Sequence, residues 1–251
     1  RLDFNDVDAM ASSLEGCDVL FSTYWVRFAD RGQDPHAAAA SNCARLWEAA
    51  KRAGVQKIVM ASHTRTSVDS PFPYIAGKAT AEAALRACGV NYAIVRPCGI
   101  FGDTAAESIL MNNAAWVLRR SPLFLLAGDG SHRFQPVHVR DIAALMEELG
   151  TSLKTSGEEL DACGPDAPTA LELFTKLRDE CGGLARIAAA GPLLSTSTIT
   201  ALTKPIDWLT GDTLLDADDL DLLCSGLTVA DAPDDPRIRE RRSLFEWIET
   251  Q

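Results

Sequence analysis

The sequence has no Cys-x-x-Cys pair, no apolar run of membrane-crossing length and no glycine-rich phosphate turn, and each absence removes a class of function. Its seven cysteines, at positions 17, 43, 88, 98, 163, 181 and 224, are scattered and odd in number. That pattern reads as a reduced intracellular protein with buried thiols, not as a disulfide framework or a zinc site. The four histidines stand at no metal-ligand spacing from any cysteine, so no metal is expected. The longest apolar runs, such as Tyr-Ala-Ile-Val and Leu-Phe-Leu-Leu-Ala, fall far short of a bilayer span, so no membrane insertion is expected. The opening residues are acidic and polar, unlike a signal peptide, and the expected location is cytoplasmic. The chain does not begin with Met, so its native start is expected upstream of Arg1. Bases are also scarce: 24 Lys and Arg face 35 Asp and Glu, for a net charge of −11. A general nucleic-acid binder is thereby excluded, because displacing counterions from phosphates needs a basic face. No Lys or Arg occurs from Trp208 to Pro236, which reads as a solvated face.

What is present is an alternation of apolar runs and helical segments in a chain of 251 residues. A helical stretch ending at Gly16 precedes an apolar, aromatic strand over 18–26. A helix over 34–54 carries Pro35 in its first turn and stops at Gly54. Next come a strand over 55–62, a helix over 75–89 closed by Gly89, and a strand over 91–102. Near-continuous apolar strands between helices predict a parallel sheet covered on both faces, whose ligands sit beyond the carboxyl ends of the strands. After residue 104 the texture changes. A helix is expected over 107–120, a hairpin-like turn at Ala-Gly-Asp-Gly-Ser, and a helix capped near Asp141. A strand over 157–165, a helix over 169–183, a helix broken by Pro205 and a last helix at Ser-Leu-Phe-Glu-Trp-Ile-Glu complete the reading.

The chemistry is concentrated at Pro-Phe-Pro-Tyr-Ile-Ala-Gly-Lys, which puts Tyr74 four residues before Lys78. On a helix that spacing stacks two side chains on one face. A phenol is a poor base at neutral pH, with a reference pKa of about 10, and a nearby ammonium lowers that value. The strand end upstream supplies Ser62 and, two residues on, Thr64. Hydroxyl, phenol and ammonium together would form a proton relay for hydride transfer at a carbonyl. The plainer reading, a half-buried Tyr and a solvated Lys, stands beside it.

Several stretches in order resemble the short-chain dehydrogenase/reductase superfamily, in its extended and atypical, NAD-dependent epimerase/dehydratase-like branch. They are Leu-Asp-Phe-Asn-Asp, the run from Ser13 to Phe28, Ala-Ala-Lys-Arg-Ala-Gly-Val-Gln-Lys-Ile-Val-Met-Ala-Ser, Tyr-Ile-Ala-Gly-Lys, Tyr-Ala-Ile-Val-Arg-Pro-Cys-Gly-Ile-Phe-Gly and the run from Gly128 to Ala143. Within that branch the chain most resembles the group of the NDUFA-nine-type accessory subunit of respiratory complex I. The resemblance implies that Tyr74 is the catalytic phenol, Lys78 its electrostatic partner and ribose ligand, and Ser62 the orienting hydroxyl. His63 stands where the family often has a second Ser, and Thr64 competes for the hydroxyl's part. It further implies cofactor contacts at Asp3, Phe4, Thr23, Tyr24, Pro97, Gly99 and Ile100. Thr64, Arg133 and His138 would border the substrate, with Gln135 in the same run. His138 in an apolar run also reads as a core histidine, and Tyr24 with Trp25 as cover for a core edge. The family's first strand, glycine-rich turn and second strand are not found in these 251 residues, so the full-length form is expected to be required.

The expected fold is thus α/β, a Rossmann-like, doubly wound parallel sheet with a smaller C-terminal α/β lobe. The remainder of the dinucleotide-binding domain would occupy 1–103, and a substrate or cap lobe 104–251, with segments near 134–165 returning to the sheet. The expected function is NAD(P)-dependent hydride transfer at a carbon bearing a hydroxyl or carbonyl, with NAD or NADP as cofactor and a small-molecule substrate. The alternative is a non-catalytic, nucleotide-binding or structural accessory protein, and association as a homo-oligomer or within a larger complex fits either reading.

Overall fold

The computed structural model of the chain describes residues 3–26, 34–104, 107–191, 195–201, 217–230, 237 and 241–250. Arg27 and Phe28, Pro205 and most of the late acidic run lie outside the described residues. The chain divides into two compact units, Arg1–Pro97 with Ile142–Ala162, and Cys98–Asp141 with Cys163–Gln251.

The first unit is built on four parallel strands in the order β1 (Val19–Ser22), β2 (Lys57–Ala61), β3 (Asn91–Pro97) and β7 (Glu158–Ala162). Their register runs Ser22 against Met60, Ala61 against Val95, and Pro97 against Ala162, so all four carboxyl ends lie along one edge. Strand period 2 splits the side chains between two faces. Ile58, Met60 and Ile94 join Cys43, Leu46, Trp47 and Leu85 in one core with helices α1 (Val7–Leu14), α2 (Pro35–Arg52) and α3 (Pro73–Ala87). Val59, Ala93 and Val95, on the opposite face, are equally buried. There Gly150 of helix α5 (Val139–Thr151) packs against the side chains of Phe21 and Val19, and a Cβ at that position would require the Phe21 ring to shift. The expected sheet with both faces covered is what forms. Lys57 is also fully buried, its ammonium donating to Ser152 O, Thr155 Oγ1 and Glu158 Oε2. Strand β1 is shorter than the apolar run over 18–26, because pairing with β2 stops at Ser22.

Caps fix the helix starts. Asp34 accepts from His36 and Ala37 N–H at the head of α2, with Pro35 at its first position, where no backbone donor is needed. Pro73 opens α3 in the same way, two residues earlier than the pattern suggested. Gly16, Gly54 and Gly89 adopt positive φ just past the ends of α1, α2 and α3.

The second unit has two short parallel pairs. Strand β4 (Ile100–Phe101) pairs with β6 (Val137–His138), and β5 (Leu123–Leu126) pairs with β8 (Arg186–Ala189). Phe101, Leu118, Phe134 and Leu173 pack with helices α4 (Ile109–Arg120), α6 (Ala170–Glu180) and the helix Leu244–Glu249. The hairpin expected at Ala127–Ser131 is not formed. Gly128 and Gly130, both at positive φ, end β5, and its partner arrives from after α6 rather than from the next residues. The apolar run over 91–102 is likewise divided, since β3 stops at Pro97 and β4 pairs elsewhere.

Candidate functional site

Helix α3 carries Tyr74, Lys78, Glu82 and Arg86 at a constant spacing of four. That spacing lines up a phenol, an ammonium, a carboxylate and a guanidinium along one face. The face runs beside the carboxyl end of β2, where Lys78 meets Ala61, Glu82 meets Ser62 and Tyr74 meets His63.

Lys78 is only 4% exposed. Its ammonium donates to Ala61 O at 3.1 Å and sits 4.3 Å from the centre of the Trp25 ring. Such a cation–π contact offsets part of the cost of burying the charge. The Tyr74 ring centre is 5.9 Å away. Burial pulls the Lys78 ammonium down to about 8, while Cys43 and Glu82 act to raise it. Burial pushes the Cys43 thiol up to about 11.

Tyr74 is half-buried among three rings that meet it edge-on. His36 lies at 5.4 Å, His63 at 5.6 Å and Trp25 at 6.1 Å. Trp25 and His36 stack on each other at 6.2 Å. Burial lowers the His63 imidazole to about 4, with the Lys78 charge adding to the effect and its bond to the Thr64 backbone opposing it. His63 is therefore neutral near pH 7, and its Nδ1–H donates to Thr64 O at 2.7 Å.

Ser62 turns toward a different partner. Its hydroxyl donates to Glu82 Oε1 at 2.6 Å, in the interior. Glu82 also receives both arms of Arg96, at 2.9 and 2.7 Å, and one of Arg86, at 2.9 Å. The two guanidiniums in turn bind Glu159 of β7. Two carboxylates between two guanidiniums make a charge-balanced cluster, which is how buried ions are tolerated. Burial pushes the Glu82 carboxyl up, but bonds from Arg96 and Ser62 outweigh it and hold the group below the usual range. Hydrogen bonding from Arg86 takes Glu159 down to about 2.

Thr64 is fully buried, and its N–H donates to Pro97 O at 3.2 Å. Its Oγ1 and the Nε1 of Trp25 are buried without a hydrogen-bond partner among the described residues. Buried polar atoms are nearly always satisfied, so these two donors, one just past β1 and one just past β2, each have a hydrogen bond left for a water or a ligand.

The other sequence-predicted positions separate by unit. The Phe4 ring packs at 4.6 Å on Tyr24, whose hydroxyl accepts from Asn42 Nδ2 at 3.0 Å. Asp3 caps the Asn5 N–H at 2.9 Å, and Thr23 is exposed just past β1. Pro97 closes β3 in the first unit, whereas Gly99, Ile100, Arg133 and His138 belong to the second. There Gly99 O accepts from Val137 N–H, and Ile100 is half exposed. Arg133 donates to Ala167 O at 2.6 Å. His138 is buried, its Nδ1 accepting from Arg140 N–H at 3.1 Å, so its proton resides on Nε2 and points to Asp103 at 3.0 Å. Gln135 has both ends of its amide engaged, with Gly164 O and Ala230 N–H. The second unit also holds an apolar cavity of about 330 Å³, lined by Leu110, Val117, Leu125, His132, Phe134 and Leu220 among others, and by none of the sequence-predicted residues.

Glu82, His63, His36 and Trp25 were not singled out as site residues from sequence. The signal for Glu82 was available, since it continues the every-fourth-residue ridge begun by Tyr74 and Lys78. His36 carried no comparable local signal, because it reaches Tyr74 from a different helix.

Residues 1–115 match the family model described as NAD(P)H-binding. NADH dehydrogenase (ubiquinone) 1 alpha subcomplex subunit 9, mitochondrial, of Arabidopsis thaliana is 29% identical over 132 residues, covering 52% of this chain and 32% of the relative. The protein of the same name from Dictyostelium discoideum is 26% identical over 182 residues, 71% of this chain and 49% of the relative. The chain thus spans about a third to a half of the length of these curated relatives. Among solved structures, a nucleoside-diphosphate-sugar epimerase from Staphylococcus aureus superposes with a TM-score of 0.72 at 18% identity, over 99% of this chain and 82% of that one. An NADPH-dependent quinone oxidoreductase from Escherichia coli, solved with NADPH, gives 0.72 at 21% identity, over 100% and 82%. These structural likenesses show the fold, and the Rossmann-like α/β class read from the sequence is borne out. The resemblance to NAD(P)-binding chains and to complex I accessory subunits holds as well.

Proposed function

We propose, from a chain whose residues 1–115 match the NAD(P)H-binding family model, that the full-length protein is an NAD(P)-dependent oxidoreductase or epimerase-like enzyme. It would move hydride to or from a carbon bearing a hydroxyl or carbonyl. The observation that carries the reading is Lys78, an ammonium held buried at the end of β2, one helical turn from Tyr74, with its pKa drawn down to about 8.

The residues fit a nicotinamide nucleotide. Lys78, the unpartnered Thr64 Oγ1 and the unpartnered Trp25 Nε1 lie past the carboxyl ends of the neighbouring strands β1 and β2 and offer the donors that a ribose or carboxamide needs. When bound, the cofactor supplies or accepts the hydride. Tyr74 holds the proton for the substrate oxygen, and the Lys78 charge favours its phenolate. Neutral His63 and the Trp25 ring meet the phenol ring edge-on and hold it in place. Of the two candidate hydroxyls, Thr64 is the one with a hydrogen bond still to make, since Ser62 is committed to Glu82.

That commitment also favours a second reading, an accessory protein that holds a nucleotide without turning it over. With Ser62 donating into an ion cluster and the Lys78 ammonium under Trp25, the groups of a relay are tied to structural partners. The curated relatives named for a respiratory complex point the same way. The test uses the full-length gene product with NADH or NADPH and a panel of carbonyl acceptors. Cofactor oxidation that Tyr74→Phe lowers at least about 100-fold, with binding intact, supports the enzyme. Cofactor bound but never consumed supports the accessory role, and no binding of either nucleotide overturns both.

A further inference from the structure

Outside the Tyr74 site two thiols are held together. Cys98 and Cys163 each come directly after the last registered pair of β3 and β7, Pro97 against Ala162. Parallel pairing therefore sets the two cysteines side by side, and neighbouring strands run about 4.8 Å apart. A disulfide spans Cα separations of about 4.4–6.8 Å, so this placement suits one without backbone movement. Both side chains turn into one small buried cluster with Ala230. Cys98 is 5% exposed and Cys163 is 0% exposed. Their Sγ atoms lie 2.7 Å apart, a short approach from the bonded distance of about 2.0 Å.

We propose that Cys98 and Cys163 form a dithiol oxidation site that closes to an intramolecular disulfide, with a small peroxide as oxidant. Cys98 is the more exposed of the two and reacts first. Its sulfur attacks one peroxide oxygen, the O–O bond breaks, and a sulfenic acid and hydroxide result. The Cys163 sulfur then attacks the oxidised sulfur, the S–S bond forms, and the sulfenic oxygen leaves as water. Two thiols are oxidised, one peroxide is reduced, and both thiol protons end in two molecules of water. The bond would tie the ends of β3 and β7 directly beside Gly99, one of the residues expected at the cofactor. A reductant reverses it by thiol exchange.

The experiment counts thiols in the 251-residue chain. One sample is treated with excess hydrogen peroxide, quenched, denatured and alkylated with N-ethylmaleimide; a second is reduced before alkylation; both are digested for mass spectrometry. The expected result is loss of two of the seven alkylatable thiols, a linked peptide joining Cys98 to Cys163, and recovery of all seven after reduction. The linked form should also melt at higher temperature, since the cross-link restricts the unfolded chain. Seven alkylated thiols after peroxide, sulfinic acid at either position without a link, or Cys98 joined to another cysteine would each overturn the proposal.

Discussion

Ser62 Oγ donates to Glu82 Oε1 at 2.6 Å, joining the residue after β2 to the middle of α3 across 20 positions of sequence. The bond matters because Glu82 is almost wholly enclosed and faces Arg96, Arg86 and Thr66 as well. Ser62 therefore helps complete the shell of a buried carboxylate, and the Tyr74 end of α3 inherits its placement from that anchor.

Removing the hydroxyl and removing the charge should differ in cost. Ser62→Ala loses one charge-assisted hydrogen bond, worth about 1.5–3 kcal/mol. Glu82→Gln removes one of the two carboxylates that balance Arg96 and Arg86, leaving Glu159 alone between two guanidiniums, and breaking such a buried pair costs up to about 3–5 kcal/mol. Urea denaturation of the two variants should therefore rank Glu82→Gln as the weaker fold. A Glu82→Gln chain as stable as the native one would refute the cluster.

Acid should weaken the first unit before its carboxylates titrate. The folded chain keeps His63 neutral down to about pH 4, whereas the unfolded chain protonates it near 6.5. Between those values the unfolded state binds the extra proton, so stability falls as pH falls from 6.5 toward 4, by about 3 kcal/mol in full. Burial lowers the half-buried His132 too, so the informative quantity is the difference between the native chain and His63→Gln. Parallel stability–pH curves for the two would exclude His63 as the source.

Much of the sheet was legible because apolar runs such as Lys57–Ala61 and Asn91–Pro97 end at helices or glycines of unambiguous type. Strand ends were less so, since pairing partners decide them: β1 stops at Ser22 although the apolar run continues to Val26. The turn at Gly128 and Gly130 looked like a hairpin because two positive-φ glycines suit one, yet β5 takes its partner from residues 186–189. Tyr74 and Lys78 stood out through their spacing. The rings that surround Tyr74 did not, since Trp25, His36 and His63 converge only once α2, β1 and β2 are assembled. Likewise, nothing in the spacing of Cys98 and Cys163 announces that β3 and β7 are neighbours.

One glycine offers a sharp test of packing in the second unit. A Cβ at Gly164 would collide with the backbone carbonyl of Pro136, which cannot rotate away as a side chain would. Gln135 donates to Gly164 O at 3.2 Å, so movement there also disturbs a buried amide. Gly164→Ala should destabilise by about 1–3 kcal/mol or more, the usual range for overpacking. By contrast a Cβ at Gly182 meets nothing, although that residue's φ of 67° adds strain. Thermal melts should place Gly164→Ala below Gly182→Ala, and the reverse order would mean that the Pro136 contact relaxes freely.

The lowered pKa of Lys78 predicts two pH dependences of different kinds. In the folded chain Lys78 loses its proton near pH 8, but in the unfolded chain only near 10.5. Between those values the unfolded state carries the extra proton, so this residue makes stability rise with pH across that window. Turnover should move the other way. Under the proposed function, loss above about pH 8 of the ammonium that would favour the Tyr74 phenolate should make kcat/KM of the full-length protein descend. Lys78→Met should remove both effects together, flattening the stability curve from 8 to 10.5 and abolishing the alkaline limb along with most of the rate. A descending limb that persists in Lys78→Met would assign it to another group and leave Lys78 as a buried cation held by Ala61 and Trp25 alone.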